Sequence, residues 1–162
     1  LDYINDAIAG FGLKNSALAR RIADYQARDK GKENYTTAGD MALLLQKMYD
    51  RTLVSRSVCE QCLDVMRLTR GGDRIPRYLP VDLTIAHKTG LERGVCHDAG
   101  IIFTPRSDLL VAVLTGHDTP GSAPSKDLIA DIALIAYEYL GFSAAVERGE
   151  EQDEDDEDDE DE

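Results

Sequence analysis

In the first half of the chain apolar residues recur every three or four positions. Beyond residue 80 they bunch into short β-branched runs, and near residue 130 the helical spacing returns. Leu1, Ile4 and Ile8 share one helical face, which Gly10 and Gly12 end. Asn15 or Ser16 caps a predicted short second helix running to about Arg28, followed by a polar turn over 29–32. Thr37 is an N-cap for a helix over 38–49, where Met41, Leu44, Leu45 and Met48 form an i, i+3, i+4, i+7 stripe. Ser55 or Ser57 opens a further helix to about Leu68, with Val58, Cys62, Val65 and Met66 predicted to face inward. Residues 70–79, rich in Gly, Pro and Arg, form a predicted surface loop. Strands are predicted over 83–88, 99–104 and 109–116, and the tight turn at 105–108 joins the last two as an antiparallel hairpin. Ser125 caps a closing helix over 126–140, with Leu128, Ile129, Ile132, Ile135, Ala136 and Tyr139 on its predicted inner face, and Gly141 stops it. Helices, then strands, then a final helix predict an α+β fold: an antiparallel sheet with three strands present, packed with helices.

Composition changes this picture at one end only. The net charge is −13, yet every residue over 150–162 except Gln152 is acidic, and the rest holds 19 acidic against 18 basic residues. The chain therefore divides into a domain over 1–142 and an acidic tail over 143–162. The tail is predicted to be disordered, since like charges repel and nothing apolar is there to bury. A nearly neutral body offers no basic footprint for nucleic acid. No apolar run approaches the ~18 residues of a membrane span. Because the chain opens on Leu1 rather than Met, its start is read as a cut, which leaves the question of an export signal open. Cys59, Cys62 and Cys96 are too few for a disulfide framework.

The run His87-Lys88-Thr89-Gly90 closes the first predicted strand. Three residues recur by chance, but their flanks are specific. Upstream lies Arg74-Ile75-Pro76-Arg77-Tyr78-Leu79-Pro80, and Asp98-Ala99-Gly100-Ile101-Ile102 opens the next strand. Earlier, Glu33-Asn34-Tyr35-Thr36-Thr37-Ala38-Gly39-Asp40-Met41 starts a helix. In that order and spacing, the chain from Leu1 to about Gly141 resembles the class A serine β-lactamases and penicillin-binding-type serine hydrolases. The resemblance implies their fold and acyl-serine hydrolysis of β-lactam amides, with no cofactor and no metal. Of the family's motifs only Lys-Thr-Gly is present: neither Ser-x-x-Lys nor Ser-Asp-Asn occurs. Leu1-Asp2-Tyr3-Ile4-Asn5 resembles the sequence that follows shortly after Ser-Asp-Asn. The chain thus reads as the C-terminal portion of such a domain, expected to be inactive until an N-terminal half supplies the nucleophile and base.

By the same resemblance, the Lys88 ammonium holds a substrate carboxylate and tunes nearby hydroxyls, and Thr89 donates a hydrogen bond to that carboxylate. Gly90 lets substrate lie against the strand edge, and the N–H of Leu91 is the second oxyanion donor. Arg74 stands where some relatives place an arginine that reaches toward the carboxylate, a task that suits a bidentate guanidinium, although a solvated loop arginine is the plainer expectation. Others take it from the next strand, where this chain has Ala99. Arg77 and Arg93 are weaker candidates. Ile22 falls where class A enzymes carry the glutamate that activates the deacylating water, and an apolar side chain cannot deprotonate water. Asp24, Gln26 and Glu33 lie nearby without matching the pattern. Tyr35 stands where an aspartate usually closes this loop with a salt bridge. Efficient turnover is therefore in question, and the alternatives are a penicillin-binding or sensing domain that acylates without turnover, or a non-catalytic remnant. Relatives work outside the cytoplasm, so an exported parent acting on a β-lactam or a peptidoglycan-like peptide is expected.

Other signals carry less. Cys59 and Cys62 share a helical face and read as core residues rather than a zinc or redox pair, since zinc needs four ligands. The Gly71-Gly72-Asp73-Arg74 stretch precedes no helix that would cradle phosphate. The strand over 109–116 is predicted to present an unpaired apolar edge, which would make the isolated chain prone to association.

Overall fold

The computed structural model describes residues 1–118 and 121–143; apart from Ser143, the predicted acidic tail lies outside them. The helices are α1 (Asp2–Gly10), α2 (Tyr25–Asp29), α3 (Ala38–Tyr49), α4 (Arg56–Arg67) and α5 (Ala123–Tyr139), and the strands are β1 (Thr84–Glu92), β2 (Val95–Phe103) and β3 (Leu109–Gly116). The strands form one antiparallel sheet in the order β1-β2-β3. This is the predicted α+β arrangement. Among the described residues, no helix is long and apolar enough to cross a membrane.

Alternation along the strands sorts the sheet into two faces. One carries Ala86, Ala99, Ile101 and Leu110, and packs on Leu45 and Met48 of α3 and Leu63 of α4. The other carries Ile85, Cys96, Ile102 and Val111, covered by Ile129, Ala133 and Tyr137 of α5 and by Ile75 and Leu79 from the preceding loop. Fully buried side chains such as Leu63 and Ile129 each stabilise the fold by about 1.5–3 kcal/mol.

The caps of the two central helices follow from the sequence. Thr37 Oγ1 accepts the N–H of Asp40 at 3.1 Å, and Ser55 Oγ accepts that of Val58 at 3.3 Å. Tyr49 at the end of α3 donates to Asp108 at 2.8 Å, fastening α3 to the β2–β3 turn. The Asp108 carboxylate, by that bond and its charge, raises the Tyr49 pKa.

Four expectations are corrected. Residues 15–24 are not a helix. Asn5 brackets Leu18 through both backbone groups, Asn34 accepts the N–H groups of Ala19 and Arg20, and Ala17 bridges to Tyr35. Those partners satisfy the backbone without helical bonds, and only α2, capped by Asp24, remains helical. In α4 the residues turned to the core are Cys59 and Leu63, while Val58 and Val65 are exposed and Cys62 and Met66 are half-buried. In α5 the buried face is Ile129, Ala130, Ala133 and Tyr137, which leaves Leu128, Ile132, Ile135 and Tyr139 exposed. Small alanines bring α5 close to the sheet, a fit that a search for large apolar side chains misses. Lastly, β1 and β2 run on to Glu92 and Val95, so they form a hairpin of their own around Arg93 and Gly94. Gly94, at a φ of 81°, supplies the left-handed conformation of that tight turn.

Asp40 ties α3 to the segment before it. Its Oδ2 accepts from the Asn15 N–H and the Ser16 hydroxyl, each at 2.7 Å. The Ser16 hydrogen bond, aided by Asn15 and opposed by burial, holds the Asp40 carboxyl below the ordinary aspartate range. A depressed folded-state pKa gives stability that is present above the unfolded value of about 3.9 and lost as pH falls through the folded value. Denaturant midpoints measured from pH 6 downward are therefore expected to fall less steeply below about pH 4 in Asp40→Asn than in the parent chain. Parallel curves would contradict this role.

Candidate active site

β1 is a free edge of the sheet, and this positions the Lys-Thr-Gly segment. The carbonyl of His87 accepts the Thr69 hydroxyl, and that of Thr89 accepts Lys88 Nζ, both at 2.5 Å. At these two positions the backbone therefore points away from β2. In an antiparallel pair, residues alternate between facing the partner and facing away, and Leu91 is next in the same phase. Its N–H is directed to the open edge.

Lys88 is exposed, paired across the sheet with Ala99, and stands on the α3/α4 face between Ala86 and Gly90. It borders a groove of about 600 Å³ whose walls are Met41, Leu44, Met48, Cys62, Val65 and Met66. Among the described residues lining that groove, Lys88 is the only lysine or arginine. A second cavity of about 610 Å³ continues the groove toward the β1–β2 turn and shares Thr36, Gly90, His97 and Leu114 with it. The two form one trough. Ile22 and Leu91 line its far end, both exposed.

The structure brings Lys88, Thr89, Gly90 and Leu91 to this edge; Arg74 stands apart from Lys88. It is 5% exposed, so it is not a solvated loop residue. Its Nε donates to Cys96 Sγ at 3.2 Å, and its Nη1 lies 3.3 Å from Asp73. Cys96 faces the α5 side, so Arg74 lies on the face of Thr89 rather than that of Lys88. Arg77 pairs with Asp127 of α5, and Arg93 occupies the β1–β2 turn. Behind the edge, His87 and Asp98 are buried partners: Nδ1 lies 3.0 and 2.9 Å from the two carboxylate oxygens, and the Ile75 N–H donates to Asp98 at 3.2 Å. The pair anchors β1 to β2 directly beneath Lys88. Cys59, Cys62 and Cys96 are free thiols, two of them buried.

The loop over 18–34 flanks the trough, and its Arg20, Arg28 and Glu33 are engaged in ion pairs. Arg20, 5% exposed, pairs with Glu33 at 2.6 Å and with Glu92 at 3.4 Å, and Arg28 lies 3.3 Å from each glutamate. Arg20 and Glu33 thus close the loop although Tyr35 carries no charge. Partial burial pushes the Glu33 carboxyl up. The hydrogen bonds from Arg20 and the Asn34 N–H, with the charges of Arg20 and Arg28, more than offset this and leave it below the ordinary range. A carboxylate so held is a weak base, and Asp24 is occupied capping α2. Glu92 and its arginine partners lie outside the sequence-predicted site because the predicted strand ends at Lys88; the Arg93-Gly94 turn is the signal for a longer one.

The model of the Beta-lactamase enzyme family matches residues 1–140. The extended-spectrum β-lactamase PER-1 of Pseudomonas aeruginosa is 29% identical over 147 residues, covering 84% of this chain and 47% of its own length. A β-lactamase structure from Sphaerobacter thermophilus superposes with a TM-score of 0.77 at 32% identity, over 87% of this chain and 54% of that one. A mutant of PBP-A, solved as an acyl-enzyme complex with penicillin G, superposes with a TM-score of 0.72 at 26% identity, over 86% and 51%. The chain spans about half the length of these relatives. With a family match over nearly all its described residues, the chain belongs to the β-lactamase enzyme family.

Proposed function

We propose that this chain forms one wall of an acyl-serine active site that opens β-lactam amides, and that a segment carrying Ser-x-x-Lys and Ser-Asp-Asn supplies the nucleophile and base. The observation that carries this is the outward-facing edge of β1, where Lys88, Thr89 and Gly90 line the apolar trough and the Leu91 N–H is directed to the same open edge. Lys88 and Thr89 hold the substrate carboxylate, Gly90 leaves the edge open, and the Leu91 N–H stabilises the oxyanion that develops on attack. Arg74 adds positive charge on the Thr89 face while its Nε stays bonded to Cys96. On this reading the chain by itself is inactive, uses no cofactor, and belongs to an exported protein.

A second reading concerns turnover. Ile22 lines the trough, Glu33 is bound by two arginines and Asp24 by a cap. These observations favour a domain that acylates and releases product slowly, as a binder or sensor of β-lactams would. The test joins this chain to an upstream family half bearing both motifs and follows penicillin G by intact mass. A covalent adduct is expected; its persistence over hours favours the binder, and rapid loss the hydrolase. A folded joined protein that forms no adduct would rule out both.

A further inference from the structure

The loop that carries Ile22 is fastened at its far side as well as at its neck. Residues 17 and 35 close the neck by an antiparallel bridge, with N···O distances of 3.0 and 3.1 Å. From there the loop crosses to the β1–β2 turn. Arg28 Nη1 lies 3.3 Å from Glu92, Arg28 Nη2 donates to the carbonyl of Arg93 at 3.0 Å, and the buried Arg20 reaches Glu92 at 3.4 Å. Ala23, next to Ile22, is held at a φ of 60°, a left-handed conformation alanine rarely adopts without surrounding restraint. The two walls so joined enclose the end of the trough beside Gly90 and Leu91.

We infer that Arg28 and Glu92 are positioning residues: they clamp the loop to the end of β1 and so set the width of the trough beside Gly90 and Leu91. Two arginines and two glutamates make the cluster neutral, so its strength comes from pairing and is screened by salt, whose Debye length shrinks to about 3 Å at 1 M.

Amide hydrogen exchange on the full chain tests the clamp. Glu92→Gln removes the charge that both arginines share and keeps the side-chain shape. Amides over 18–34 are expected to exchange about fivefold faster in the variant, with the amides of β2 unchanged as the internal measure of folding. Raising salt to 1 M should accelerate the same amides in the parent chain and have little further effect in the variant, a response that packing alone would not give. Glu60→Gln, which removes remote ion pairs with Arg51 and Arg56, should leave the loop unaltered. Equal loop exchange in parent and Glu92→Gln, or salt-insensitive exchange in the parent, would overturn the clamp. Because exchange is read without substrate, the absence of acylation would defeat the proposed function and leave this result standing.

Discussion

Gly100→Ala is expected to lower the stability of the chain by about 3 kcal/mol, at the upper end of overpacking effects. A Cβ at that position would lie 2.5 Å from His87 Cβ, 2.6 Å from the Ala86 carbonyl oxygen and 2.8 Å from His87 Cα. Two of these atoms are backbone and cannot swing aside. Nor can the strand retreat readily, since His87 is held by the buried Asp98 and by the Thr69 hydroxyl on its carbonyl. Gly90 is the contrasting case: a Cβ there meets His97 at 3.5 Å, an ordinary contact. Gly90→Ala should fold with a urea midpoint close to that of the parent and only narrow the trough. Urea midpoints of the two variants decide the matter, and equal midpoints would show that the close approach of β1 and β2 relaxes at little cost.

Installing a carboxylate at the loop position carries the second large effect. In the chain joined to the upstream half, Ile22→Glu is expected to shorten the life of a penicillin adduct by about 10²-fold, the lower end of what a positioned general base contributes. Ile22 lines the same cavity as Gly90 and Leu91, so a carboxylate there can hold a water against the acyl group. As the side chain is exposed, the substitution should leave stability unaltered. Intact-mass time courses after removal of free penicillin read the lifetime directly. An unchanged lifetime in a folded variant would mean that water already reaches the acyl group with another base, and would shift the account toward an efficient hydrolase.

The order of the elements and the position of the Lys-Thr-Gly edge were legible because they rest on local signals. Thr37 and Ser55 cap their helices by hydrogen bonds within three residues, and Lys88 lies on a strand paired with the run over 95–103. Helix faces were less legible. In α5 both sides are apolar, so periodicity cannot tell the exposed Ile132 and Ile135 from the buried Ile129 and Ala133. The loop over 15–24 was misread as a helix because its backbone is satisfied by Asn5, Asn34 and Asp40, partners up to 25 residues away that leave no local trace. Arg74 carried the right charge, but burial against Cys96 and Asp73 depends on the tertiary contact of two segments.

All of the site chemistry depends on a single positive group at the end of an open strand meeting a negative one on substrate. The second-order acylation rate constant of Lys88→Ala in the joined protein, measured against the unsubstituted form with a subsaturating β-lactam, addresses this most directly. A fall of about 10²-fold, with the fold intact by urea midpoint, is the predicted result. Acylation within about twofold of the unsubstituted rate would contradict the account, since the charge that holds the substrate carboxylate is expected to count for far more than that.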